Sequence, residues 1–319
     1  MIRTRHPRNG SGGAPRIVCA EPARCCCGGT APGSAHSLRR GGRPAVEGRE
    51  ASPRLLADAA RRIAEEAGAF LRSRLPGRRR ISHKGKIDLV TEVDRASERL
   101  IARRIREAYP DDDILGEEKE KTDRGARRRW IVDPLDGTVN YAHGFPIFGV
   151  SVAVADGGEV VAGAVCIPLL GETFTGWRGG GAWLGGRRLR VSRTRTLEQS
   201  LVATGFPYDL HEQPGRIYHD LASVAQRAQG VRRPGCASYD LCSVAAGRFD
   251  GFWELRLHPW DTAAGMLLVE EAGGRVSTYD GGRYTIWQEE IVASNGRLHA
   301  ELVARLSRRV GLARILRGE

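Results

Sequence analysis

The sequence contains no run of 18 or more consecutive apolar residues, so no membrane-spanning helix is expected. Residues 1–50 have no apolar core of the kind a secretory leader needs. The seven cysteines, Cys19, Cys25, Cys26, Cys27, Cys166, Cys236 and Cys242, are odd in number and include a consecutive triplet, which is no disulfide framework. The triplet also lacks the two-residue gap of paired zinc ligands. A reducing cytoplasm is the simplest setting, and Cys166, Cys236 and Cys242, set among apolar residues, read as small core groups. There is no internal repeat, and no motif for a Cys or Ser nucleophile stands out. Charge is scarce where a nucleic-acid face would need it. The formal net charge is +12, but residues 1–50 hold nine Arg against three Glu, and residues 297–319 hold six Arg against two Glu, leaving +2 for everything between. A basic face across the fold is therefore not indicated, and only the basic tails suit RNA or acidic partners.

What is present is a chain of 319 residues with 41% hydrophobic content, enough to bury a large core in one or two domains. Residues 1–50, rich in Arg, Gly, Pro and Ser, read as a disordered basic tail. Ser52 is a suitable N-cap and Pro53 a suitable first helical residue. Leu55, Leu56, Ala59, Ile63, Ala67, Phe70 and Leu71 then recur at helical spacing. The stretch from His83 to Asp94 mixes loop and strand signals and leads into a second helix with Leu100, Ile101, Ile105 and Ala108 on its buried face. Asp113–Leu115 reads as a short strand. Between Ile147 and Val191, Val and Ala runs separated by Asp156-Gly157-Gly158 and Gly185-Gly186 predict antiparallel hairpins. From Ser200 onwards strands at 201–203, 249–255, 276 and 291–293 alternate with helices at 215–229, 239–247, 260–272 and 298–307, a layered α/β pattern. The expected organisation is a tail (1–50), an N-terminal α+β half (51–195) and a C-terminal α/β half (196–319).

The chain is organised around Trp130-Ile131-Val132-Asp133-Pro134-Leu135-Asp136-Gly137-Thr138. It begins as a buried strand, breaks at Pro134, and delivers two carboxylates just before a new helical turn. Hard cations such as Mg²⁺ take oxygen ligands, and free N–H groups at a helix start attract phosphate. Three further acidic segments, Asp94, Glu117-Glu118 and Trp260-Asp261, fall at expected strand ends or helix starts. Each alone is an ordinary cap or solvated carboxylate. Together they are the inventory of a multi-metal phosphatase, in which two cations about 3.5–4 Å apart clamp the attacking and leaving oxygens.

Gly116-Glu117-Glu118, then Asp133-Pro134-Leu135-Asp136-Gly137-Thr138-Val139-Asn140, then Trp260-Asp261-Thr262-Ala263-Ala264-Gly265 resemble the inositol monophosphatase family. Lys84-Gly85 through Asp94 is similar to that family's upstream lysine and aspartate region, and Gly179–Trp183 to its glycine-containing hairpin. The resemblance runs from about residue 53 to 310. It implies a layered αβαβα sandwich, a homodimer, lithium sensitivity, and Mg²⁺-dependent hydrolysis of a small phosphate monoester, inositol monophosphate first. It further implies that Glu117, Asp133 and the Leu135 carbonyl hold one Mg²⁺, that Asp133, Asp136 and Asp261 hold a second, and that Glu117 helps hold a third through water. Asp94 and Thr138 would position and deprotonate the attacking water. Asp136, with the N–H groups of Gly137 and Thr138, would face the phosphate. Glu254 and Asp240 would face the cyclitol, and Lys84 would approach from a mobile loop. His143 and His258 read as peripheral. Ser238 and Tyr239 depart from the small and apolar residues of the family's segment, which leaves open a broader sugar-phosphate, histidinol-phosphate or nucleotide-bisphosphate phosphatase. A member with an added regulatory role at RNA or RNA polymerase is the other alternative.

Because residues 1–50 offer little apolar surface to bury, their removal is expected to leave the melting temperature and the activity nearly unchanged, as thermal denaturation and assay of the truncated protein would register.

Overall fold

Long Val- and Ala-rich strands form the first sheet. β3 (Gly149–Asp156) and β4 (Glu159–Ile167) are buried almost end to end, the signature of strands covered on both faces. In the computed structural model, which describes residues 51–75, 86–207 and 214–307, seven strands follow one another in chain order. They are β1 (Asp113–Gly116), β2 (Arg128–Asp136), β3, β4, β5 (Glu172–Trp177), β6 (Gly181–Leu184) and β7 (Arg187–Arg188). Only β1 and β2 are parallel; every later pair is antiparallel. The hairpins expected at 156–158 and 185–186 join β3 to β4 and β6 to β7.

A second, five-stranded sheet has the order β11 (Arg275–Ser277), β12 (Glu290–Ser294), β10 (Gly251–Leu255), β8 (Leu201–Thr204) and β9 (Gly230–Arg232). The expected boundary at 195/196 falls between β7 and β8. The described residues all belong to one compact unit that begins at Glu50.

Helices cover and separate the sheets. α1 (Pro53–Ser73) and α2 (Lys86–Ala108) set Leu56, Ile63, Leu71, Ile101 and Ile105 against Trp130, Val132, Val150, Val152 and Val154. On the opposite face of that sheet, α5 (Ala237–Ala245) and α6 (Pro259–Glu271) share a core with Ile131, Ala153 and Phe174. The same core takes in Ala203, Phe252 and Ile291 of the second sheet. Eight consecutive residues of α6, Thr262–Val269, are buried, as an all-round apolar helix between two sheets must be. α4 (Pro214–Ala225) and α7 (His299–Ser307) close the outer face of the second sheet through Val224, Leu302 and Leu306. The layers run αβαβα, as expected.

Local expectations were met unevenly. Ser52 caps α1, its hydroxyl accepting the Leu55 N–H at 3.4 Å, and Pro53 is the first helical residue. Leu55 itself is exposed, because the packed face runs through Leu56, Ala60, Ile63 and Ala67. The stretch ending in Asp94 is helical from Lys86. Ile87, Val90, Thr91 and Val93 favour strands weakly, and docking of α2 against β2 overrides that preference. The helix expected over 215–229 stops at Ala225, and β9 follows, a strand of three residues defined only by its pairing with β8.

His299 at the start of α7 is buried, with Nδ1 2.8 Å from Ser294 Oγ and Nε2 2.8 Å from Ser277 Oγ. Burial, with a smaller contribution from Arg275, pushes its pKa down to about 4. The unfolded chain takes up a proton near pH 6.5 while the folded chain resists until about pH 4, so stability is lost as pH falls between those values. The loss assigned to this group is on the order of 2–3 kcal/mol. His299→Gln is expected to melt lower at pH 7 and to show a flatter dependence of Tm on pH between 6.5 and 4 than the parent protein.

Candidate active site

The break expected at Pro134 is a bulge. β2 continues to Asp136, but Asp133 pairs with Ser151 and Asp136 with Gly149, so that Pro134 and Leu135 stand opposite Val150 alone. Ser151 and Gly149 lie on one face of β3, so their partners Asp133 and Asp136 also share a face. In a regular strand residues three apart point to opposite faces. The bulge therefore converts a Asp-Pro-Leu-Asp sequence into a pair of carboxylates on one side, while Leu135 turns into the core against α1 and α2. Asp133 Oδ1 accepts the Leu135 N–H at 2.9 Å, fixing the bulge from within. Gly137 follows with φ 87° and opens α3 (Thr138–His143). A Cβ there would also stand 3.1–3.2 Å from the carbonyl oxygens of Ile147 and Gly235, so both the left-handed backbone and the close approach call for glycine.

Other elements bring the remaining acids to this bulge. On α2, Asp94, Ser97 and Glu98 occupy i, i+3 and i+4 and so share one face. Ser97 Oγ donates to the Pro134 carbonyl at 3.0 Å. The Glu98 carboxylate accepts the N–H groups of Glu118, Lys119 and Glu120 at 2.8–3.1 Å, which fixes the loop carrying Glu117. Asp261 sits in the first turn of α6, where its Oδ2 accepts the His258 N–H at 2.6 Å. Asp136 Oδ2 accepts the Ser238 N–H at 2.7 Å and the Cys236 thiol at 3.2 Å, both at the start of α5. Asn140 Nδ2 donates to Ile147, Pro234 and Gly235 carbonyls at 2.6–3.2 Å and ties the loop before α5 to the loop after α3.

The result is a cleft of about 960 Å³ whose walls include Glu117, Asp133, Asp136, Gly137, Glu254 and Asp261. The Thr138 hydroxyl, also on the wall, donates to the Leu135 carbonyl at 3.1 Å, which leaves its lone pairs available to accept. Asp94 is buried beside Glu117 and has no hydrogen-bond partner at Oδ1. Burial, then the charges of Glu117, Glu118 and Glu98, raise its pKa to about 8. Burial and neighbouring carboxylates raise Glu117 to about 7. Asp133 and Asp261 are pushed well above the usual carboxylate range by burial and then by one another's neighbourhood of negative charge. Burial also raises Asp136, opposed by its hydrogen bonds from Ser238 and Cys236.

Five acids separated by up to 167 positions in the chain thus act on one another electrostatically. Among the described residues no three His, Cys, Asp or Glu side chains are gathered closely enough to hold an ion as they stand. The chemistry of the donors nevertheless fits a hard divalent cation. They are oxygens only, buried, mutually repelling, and in Asp94 include an atom with no partner.

The other expected residues divide. Glu254 borders the cleft, its carboxylate lying over Gly205, where a Cβ would be 2.0 Å from Oε1. Asp240 does not reach the wall; it is buried in α5 with both carboxylate oxygens unpartnered, close enough to feel the charges of Glu254 and Asp136. Lys84 lies outside the described residues. His258, expected to be peripheral, is on the cleft wall, stacked on Trp260 with ring centroids 4.8 Å apart. Arg233 and Phe206, paired by a guanidinium 5.6 Å above the ring, also line it. These residues, with Ser97 and Glu98, carried no motif signal: Glu98 reads as one more surface acid of an Arg/Glu-rich helix, and Cys236 as a core filler.

The profile of the inositol monophosphatase family matches residues 53–312. The chain is 46% identical over 217 residues to an inositol-1-monophosphatase of Rhizobium meliloti, covering 67% of this chain and 81% of that one. It is 44% identical over 228 residues to the Nus factor SuhB of Pseudomonas aeruginosa, covering 70% and 84%. It is 41% identical over 238 residues to the chloroplastic phosphatase IMPL1 of Arabidopsis thaliana, where the match spans 72% of this chain but 64% of the relative. Among solved structures, that of inositol monophosphatase from Anabaena (Nostoc) sp. superposes with a TM-score of 0.75 at 38% identity, covering 82% of this chain and 98% of the other.

Repulsion inside the cleft has a measurable consequence. Asp133→Asn keeps an acceptor for the Leu135 N–H while removing one buried charge. It is expected to stabilise the cation-free protein by about 0.5–2 kcal/mol, the usual gain on relaxing a strained functional position. A divalent cation is expected to raise the Tm of the parent protein, and Asp133→Asn to abolish that rise. Thermal denaturation with and without chelator reads both effects.

Proposed function

The chain belongs to the inositol monophosphatase family, and from that premise we propose that it hydrolyses small phosphate monoesters, inositol monophosphate among them, in the cleft between β2, α5 and α6. The observation that carries this reading is the convergence of Asp94, Glu117, Asp133, Asp136 and Asp261 on the turn at Gly137 and Thr138. The two halves, 51–195 and 196–319, complete the site together, since Asp261 comes from the second. Glu117, Asp133 and the Leu135 carbonyl would hold one Mg²⁺, and Asp133, Asp136 and Asp261 a second. Bound Mg²⁺ supplies Lewis-acid stabilisation of the charge that builds on the phosphoryl oxygens.

The chain's own groups do the rest. The N–H groups of Gly137 and Thr138 orient the phosphate oxygens. The Thr138 hydroxyl, which donates a hydrogen bond to the Leu135 carbonyl, accepts one hydrogen of the attacking water. Asp94, whose affinity for protons is raised by burial, is suited to take the other, and Glu117 would help hold a third Mg²⁺ through water. Glu254 accepts hydroxyl hydrogens of the alcohol portion, Asp240 stands behind it without reaching the cleft, and Lys84 would approach the phosphate or the metal-bound waters. A homodimer, a cytoplasmic setting in keeping with the free thiols of Cys166, Cys236 and Cys242, and inhibition by Li⁺ complete the proposal. Among the described residues no helix is long and apolar enough to cross a membrane. A second reading, an added regulatory role at RNA or RNA polymerase, is favoured by the likeness to a relative named as a Nus factor; it would accompany catalysis, because the acid set is intact.

Phosphate release from a panel of phosphomonoesters is the deciding experiment. Release is expected with Mg²⁺, none with excess chelator, and inhibition by Li⁺ that is uncompetitive towards substrate. Glu254→Gln is expected to raise KM or reorder the panel at similar Mg²⁺ dependence, by about three- to tenfold, as for a charge-assisted hydrogen bond weakened to a neutral one. A protein that releases no phosphate from any member yet binds RNA polymerase or RNA would leave only the second reading.

A further inference from the structure

A small cavity of about 10 Å³ lies behind Glu254, walled by Thr204, Gly205, Asp220, Trp253, Glu254 and Tyr279. Its size is that of a single water. Glu254 and Gly205 border both this cavity and the cleft, so the Glu254 carboxylate, lying over Gly205, sits between the two spaces.

The far wall is polar and incompletely paired. Asp220 is 2% exposed, and its Oδ2 has no hydrogen-bond partner. Its Oδ1 is 3.1 Å from His219 Nδ1. Arg216 Nε stands 3.8 Å from Oδ2, beyond hydrogen-bond range. The Arg216 guanidinium instead lies 5.1 Å above the Tyr279 ring and 3.2 Å from Glu290. Tyr279 is buried too, and its backbone N–H donates to Glu290 Oε1 at 3.4 Å. Burial, then the charge of Asp220, raises the Tyr279 pKa, which keeps the hydroxyl protonated as a donor. A buried carboxylate oxygen left without a hydrogen-bond partner is costly, and a water in the cavity that Asp220 shares with Tyr279 and Glu254 relieves that cost.

We infer that this cavity holds one water bridging Asp220, Tyr279 and Glu254, and that Tyr279 and Asp220 are thereby positioning residues for Glu254 at the substrate. The role of Glu254 rests on the function proposed above; the water itself does not. The water accepts the Tyr279 O–H, donates one hydrogen to Asp220 Oδ2 and the other to the Glu254 carboxylate. It thus separates two like-charged groups and fixes the orientation in which Glu254 meets substrate hydroxyls.

Tyr279→Phe tests this, since it keeps the ring beneath Arg216 and removes only the hydroxyl. A high-resolution crystal structure of the parent protein is expected to show a water within hydrogen-bond distance of Asp220 Oδ2 and the Tyr279 hydroxyl, lost or displaced in the variant. With myo-inositol 1-phosphate as probe, KM is expected to rise about three- to tenfold, the weight of one hydrogen bond, with kcat and the half-saturating Mg²⁺ concentration unchanged. Asp220→Asn, which retains an acceptor oxygen, is expected to keep both the water and a KM near that of the parent. A parent crystal with no water in the cavity overturns the inference, as does Tyr279→Phe with unchanged KM or with kcat falling in step. Should the variant not fold, the parent crystal decides alone. If the parent protein hydrolyses no phosphomonoester, the functional reading fails, while the crystallographic result still judges the water.

Discussion

Like charges confined in a buried space are the constraint on which the site depends. Water would screen five carboxylates on a surface; here burial and mutual repulsion raise their affinity for protons together. Left to themselves such groups would swing apart or neutralise. The scaffold opposes this with fixed donors. Leu135 N–H holds Asp133, Ser238 N–H and the Cys236 thiol hold Asp136, and His258 N–H holds Asp261. Each acts on a single carboxylate oxygen. A cation bound there, as the proposed function requires, would relieve a cost already present in the fold.

The layered architecture supplies that rigidity. α6 is buried between both sheets, and its first turn carries Asp261. α5 lies beside it and points its own first turn at Asp136. Ser151 Oγ of the first sheet donates to the Trp260 carbonyl at 3.2 Å, linking β3 to the start of α6. On the other side, α2 fixes the bulge through Ser97 and the Glu117 loop through Glu98. The cleft is therefore lined by element ends held from opposite layers, which limits how far any carboxylate can move.

The hydrophobic patterns made most elements legible because they were strong and local. Val and Ala runs with paired glycines gave the hairpins, and the apolar residues of 260–272 gave α6. Errors arose where pairing or docking outweighed local preference, at the start of α2 and at the three-residue β9. The acid motifs were legible as one set, because oxygen ligands of this kind suit a hard cation. Arg233, Phe206, His258, Ser97 and Glu98 were not, since an exposed arginine or a helical glutamate looks the same in a sequence whether or not it borders a site.

The sequence by itself determined the layer composition, the bulge-prone Asp-Pro-Leu-Asp segment and the inventory of acids, because propensity, periodicity and ligand chemistry are properties of short stretches. Tertiary structure alone decided that Asp133 and Asp136 share a face, through an inter-strand register no single strand contains. It alone brought Asp94, Glu117 and Asp261 to them. It also set Asp240 behind the wall and Glu254 on it, because burial and proximity are relations between segments distant in the chain.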